Sequence, residues 1–123
     1  MANPNIVNVT SIYGNTVYLI PSNTSATAWT ALTPAVGTVN KIDSIVATNV
    51  TGSAATVTVS INSATAGGGT AYRICYQISV PANAALIVVD KTTAFYVNET
   101  QSVVVTSGTG SAIEYTATYE AIT

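Results

Sequence analysis

The sequence predicts an all-β protein, an antiparallel β-sandwich or jelly-roll-like fold of eight or nine strands. Three observations predict it. Apolar and polar residues alternate with period two in several stretches, as a sheet with one buried face requires. Turn residues recur every 8–12 positions with no helical run between them. Thr, Val, Ile and Tyr are abundant, while the helix formers Leu, Glu, Lys and Gln are scarce. A chain of 123 residues corresponds to one domain and is long enough to bury a single core.

The stretch Tyr72–Val89 organises the rest. Tyr72, Ile74, Tyr76, Ile78 and Val80 alternate with Arg73, Cys75, Gln77 and Ser79, which predicts a strand with its apolar side in the core. Pro81 stops the ladder because it has no N–H to donate. Leu86-Ile87-Val88-Val89 then resumes as a second strand.

The remaining elements follow in order. Ile6–Thr10 reads as a strand or an extended arm, and Tyr13-Gly14-Asn15 as a turn. This divides the chain into residues 1–14, an N-terminal arm or first strand, and residues 15–123, the sandwich domain. Thr16–Ile20 is a strand ended by Pro21. Ala26–Leu32, with Trp29 inside it, is another, ended by Pro34 and Gly37. Lys41–Val50 and Thr56–Ile61 are strands that Thr51-Gly52-Ser53-Ala54 would join as a hairpin, with Val57, Val59 and Ile61 inward. Ala64–Thr70, with its glycine triplet, reads as a flexible loop. Asp90-Lys91-Thr92-Thr93 is a polar turn, and Phe95-Tyr96-Val97 and Gln101–Thr106 are short strands. Ile113, Tyr115, Ala117 and Tyr119 alternate with polar residues in a closing strand.

Charge narrows the function. Only 7% of residues are charged, with a net charge of −2, against about 25% in an ordinary soluble domain. A near-neutral surface of Thr, Ser and Asn favours association, so an assembly subunit, as a homo-oligomer, is expected. Three cations make no basic patch, which argues against nucleic acid. No apolar run reaches 18 residues, and Met1–Asn5 lacks the marks of a signal peptide, so no membrane partner is expected and synthesis in a cytoplasm is.

Catalytic readings fail on chemistry. Without histidine, Cys75 has no base to activate it and a serine triad cannot be built in its usual form. Gly67-Gly68-Gly69 is followed by a strand and lacks the Lys-Ser/Thr of a phosphate loop. Glu114 and Glu120 share a strand face about 20 Å apart, too far for a glycosidase pair. Asp43, Asp90 and Glu99 are scattered, so no calcium loop forms. The sequons at Asn8, Asn23, Asn49 and Asn98 are what an Asn- and Thr-rich chain produces by chance. No catalytic, metal or cofactor site is therefore expected. Tyrosines and Trp29 suit the core or a subunit interface better than a sugar platform. The residues assigned to an interface are Ile6, Val7, Tyr13, Trp29, Arg73 and Cys75.

Four stretches carry a resemblance: Met1–Gly14; Ile42–Ile45 through Ala54–Val59; Ile78–Ala82 through Leu86–Lys91, then Phe95–Val97 and Ser102–Thr106; and Tyr115–Glu120. Over nearly its full length the chain resembles small β-sandwich virion proteins of marine and cyanobacterial tailed phages. The resemblance implies a non-enzymatic structural role in the virion, assembled in the host cytoplasm. The expected role is a capsid decoration (cement) protein that stabilises the head by bridging capsid subunits. Its partners would be the major capsid protein or other virion proteins, and residues 2–13 would reach a neighbour by strand addition. The alternative is a tail or fibre module contacting the host surface.

Overall fold

The computed structural model describes residues 4–123. Among them are nine strands and three short 3-10 turns. The strands are β1 (Ile12–Leu19), β2 (Thr27–Ala28), β3 (Val39–Asn49), β4 (Ala55–Asn62) and β5 (Ala71–Val80). They continue with β6 (Ala85–Val89), β7 (Phe95–Val97), β8 (Ser102–Ser107) and β9 (Ile113–Ile122). Every pairing is antiparallel. One sheet runs β1-β9-β3-β6, and the other runs β2-β8-β4-β5. Because β9 covers β3 along its whole length, β7 and β6 share the other edge of β3, end to end.

Alternation explains the core. Ile42, Ile45 and Ala47 of β3 and Ile113, Tyr115 and Ala117 of β9 point inward from one sheet. Val57 and Val59 of β4 and Val103 and Val105 of β8 meet them from the other. Each of these side chains is fully buried, and each contributes roughly 1–3 kcal/mol through removal of apolar surface from water. Trp29 and Leu32 fill the space between the sheets from a 3-10 turn over Thr30–Leu32.

Several local expectations change. Residues 13–15 lie within β1, pairing with Ala121, Glu120 and Tyr119, so the chain does not turn there. The strand expected over 26–32 is only Thr27–Ala28, after which the chain coils inward to bury Trp29. Lys41–Val50 and Thr56–Ile61 do not form a hairpin: β3 and β4 lie in opposite sheets. Period two records which side of a strand is buried, and that side looks the same whether the next strand pairs beside it or packs across the core. β5 and β6 are likewise joined across the sheets.

The organising strand differs most. Tyr72, Ile74, Tyr76 and Ile78 are exposed, and Cys75, opposite Val59, packs against the core instead. β5 is the edge of its sheet, and its register against β4 shifts twice, between Val57 and Val59 and between Val59 and Ser60. Each bulge inserts a residue and shifts the alternation, so Ile78, Cys75 and Tyr72 lie opposite the inward Val57, Val59 and Ile61, and Arg73 lies opposite Ser60. Gln77 takes a φ of 49° there, with its N–H donating to Thr58 Oγ1 at 2.9 Å.

Residues 64–70, expected to be a flexible loop, fold back onto their sheet. Asn62 Oδ1 accepts from the N–H groups of Ala64 (3.0 Å) and Gly69 (2.8 Å). Ser102 Oγ donates to Ala64 O and accepts from Gly67 N. Gly67 has a φ of +72° and sits where a Cβ would come 3.2 Å from Val104, which explains a glycine here. The loop buries Ser60 and Val104 on the outer side of the sheet.

Candidate interaction surface

Several polar side chains are committed to the fold. Asn49 is buried, donating to Ser53 O (2.8 Å) and Val80 O (3.0 Å) while accepting from Thr51 N–H and Oγ1–H. Its sequon therefore lies where no glycan fits. Asn40 donates to Leu32 O at 2.9 Å. The Tyr115 hydroxyl donates to Thr106 O (3.2 Å) and meets Ser107 Oγ, and burial pushes its pKa up to about 12. Asp90 caps the 3-10 turn Lys91–Thr93; the Thr92 hydroxyl, with the Thr92 N–H, holds its carboxyl below the usual range. Among the described residues no three His, Cys, Asp or Glu side chains gather closely enough to hold a metal ion.

The residues assigned to an interface separate into three groups. Ile6, Val7 and Tyr13 are exposed, Val7 at 91%. The arm they begin does not run extended throughout: Asn8 N–H donates to Asn5 O, closing a turn. Beyond it, Thr10 and Ser11 bond to Thr123 O, prolonging the pairing of β1 with β9. The arm residues before Pro4 lie outside the described residues. Trp29 is a correction. It is only 2% exposed, its ring packed edge-on against Tyr115 with centroids 6.1 Å apart, so it offers no contact surface. Arg73 and Cys75 lie on β5. Arg73 is exposed, its guanidinium 5.3 Å above the Tyr76 ring. Cys75 is half-buried, its thiol near Val57 O and its pKa raised by burial.

Several large apolar side chains remain exposed. β1 is the edge of its sheet, and Ile12, Tyr13 and Tyr18 on it are open to solvent, with Ile20 just beyond. Tyr18 continues across the outer side of the sheet through Thr116 and Val46 to Ile87, directly opposite one another in register. On the other sheet, Tyr72, Ile74, Tyr76 and Ile78 line the free edge. The only charged residue on β5 is Arg73. Sequence reading missed this edge because it assigned those four side chains to the core; edge strands commonly carry lysine or other charges, and this one, with Arg73 as its single charge, gave no such signal. A cleft of about 590 Å³ lies between the arm residues Pro4 and Ile6, Ile61 of β4, and Phe95 and Tyr96 of β7.

No family model matches the chain, and no curated protein matches it. Among solved structures it is similar to a chain from Bacillus endospore appendages, described as a novel family of disulfide-linked pili. The two are 16% identical over 91% of this chain and 87% of that one, with a TM-score of 0.48.

Proposed function

We propose that this chain is a non-enzymatic structural subunit of a phage virion, a decoration protein that binds the capsid and stabilises the head by bridging its subunits. The observation that carries the reading is the exposed apolar side chains at the free edges of a charge-poor sandwich. Water-exposed Tyr, Ile and Val in such clusters mark a surface built to be covered. The buried Asn and Ser side chains serve the fold, which leaves little for chemistry. The resemblance of the sequence to phage virion proteins supplies the kind of assembly. Particles lacking this protein should burst on mild heating or osmotic shock at conditions that intact particles survive. Equal resistance would end the reading.

A second reading has an observation of its own. Tyr13, Tyr18, Tyr72, Tyr76 and Tyr96 are all exposed, as a tail or fibre module that stacks on host sugars would require. A glycan array probed with the purified chain separates the two: binding with labelling at the tail favours this reading, and no binding with labelling on the shell removes it.

A further inference from the structure

We propose that two copies of this chain pair through β1, antiparallel, with Thr16 of each on a common two-fold axis. The pairing needs no shell and so goes beyond the virion reading. A sheet edge offers its unpaired backbone groups to another strand, and proteins blunt such edges with charge, bulges or brevity. Among the described residues three of the four edges are blunted. β2 is two residues long, the edge opposite β1 is split between the short β6 and β7, and β5 carries Arg73 and two register shifts. β1 is not blunted: its eight residues hold no charge and no proline, and its register against β9 runs unbroken from Ile12 to Leu19. Ser11 and Thr123 exchange both backbone hydrogen bonds. Antiparallel bonding alternates from there, so Tyr13, Asn15, Val17 and Leu19 bond to β9, while Ile12, Gly14, Thr16 and Tyr18 turn their N–H and C=O groups to the open edge.

Gly14 selects a second copy as the occupant. Glycine inside a strand weakens it and marks a bulge, a bend or a close approach. No bulge occurs there, its φ is not in the left-handed range, and beyond its chain neighbours no atom lies within 4 Å of where a Cβ would stand. Nothing within one copy calls for this glycine. Tyr18 projects from the same outer side of the strand and is 80% exposed. The register centred on Thr16 is the one that sets Tyr18 of each copy opposite Gly14 of the other, ring over gap, as aromatics do over edge glycines. The same register sets Ile12 opposite Ile20 and Tyr13 opposite Leu19, apolar on apolar, and Thr16 opposite Thr16, a favourable cross-strand pair. No charge on either strand opposes the approach. In two copies Ile12, Tyr13, Tyr18 and Ile20 carry on the order of 1,000 Å² of open surface, the lower bound for a specific interface.

Sedimentation equilibrium up to about 1 mM chain should show a reversible monomer–dimer system. Gly14→Val fills open space within one copy, so the folded chain should keep or gain stability, yet dimerisation should weaken about tenfold or more because the Tyr18 ring loses its place. Thr16→Lys sets like charges face to face and should weaken it as much. Ile74→Lys, on β5, should leave it unchanged. These positions are exposed, and the fluorescence of buried Trp29 checks that each variant folds. Cα atoms of directly opposed, hydrogen-bonded residues lie about 5.5 Å apart, within disulfide range. In a Cys75→Ser background, Thr16→Cys should therefore cross-link with diamide, which takes up the two protons and two electrons the thiols lose. Ile12→Cys should not, since its counterpart lies about 27 Å away along the strand. A chain monomeric throughout would overturn the proposal, as would a dimer indifferent to Gly14→Val or Thr16→Lys, or one lost in Ile74→Lys. So would a cross-link that fails at Thr16→Cys or forms at Ile12→Cys. None of these results bears on whether virions carry the protein, which particle composition reports separately.

Discussion

Asn49 holds the two sheets together at one end of the sandwich. Its amide spans from the Thr51–Ser53 turn to Val80 at the end of β5, using both donor hydrogens and its acceptor oxygen. Asn49→Ala leaves several buried backbone groups without partners and should cost about 2–3 kcal/mol in urea unfolding. Asn23→Ala, on an exposed loop where the side chain accepts only from Ser25 N–H, should change stability by less than about 0.5 kcal/mol. Tyr115 provides a second test at this scale. Burial raises its pKa from the ordinary value near 10 to about 12 in the folded chain. The stability its neutral form contributes is complete below the unfolded pKa and is lost as pH climbs through the folded one. Unfolding midpoints should therefore fall between pH 10 and 12, and Tyr115→Phe should flatten that decline.

Element by element, the sequence made visible which stretches are strands, because alternation is a local property. Lys41–Val50, Thr56–Ile61 and the closing strand lie within β3, β4 and β9 or differ from them by a residue or two at the ends. Partners were hidden. β3 and β4 bury inner faces of the same kind whether they pair or pack, and only the structure separates them into two sheets. Bulges were hidden too, since an inserted residue leaves no mark in composition, and so was the place of β5 at the sheet's edge, which leaves Tyr72 and Ile78 exposed although they lie opposite inward residues. Trp29 looked like part of a strand among small residues, but the 3-10 turn after it carries its ring into the core. The loop at 64–70 looked slack because glycine is permissive, yet Asn62 and Ser102 fasten it. Asn62→Ala should release that loop, and limited proteolysis should then cut between Ser63 and Thr70 while the wild-type chain resists.

For the molecule as a whole, scarcity of charge is the property with the widest reach. It was legible from composition, and with it the expectation of an assembly subunit. Of the residues assigned to an interface, Ile6, Val7, Tyr13 and Arg73 are exposed, while Trp29 is buried. Exposed apolar side chains lie on the edge strands at both sides of the sandwich, and buried Asn and Ser side chains fasten loops and turns to a largely apolar interior. The proposed function requires the chain to be built into a virus particle. Quantitative mass spectrometry of purified phage particles from cultures that express this chain tests that proposal most directly. A decoration role predicts copies by the hundred, on the scale of the major capsid protein. Particles that contain none, with the chain recovered only free in the lysate, would contradict it.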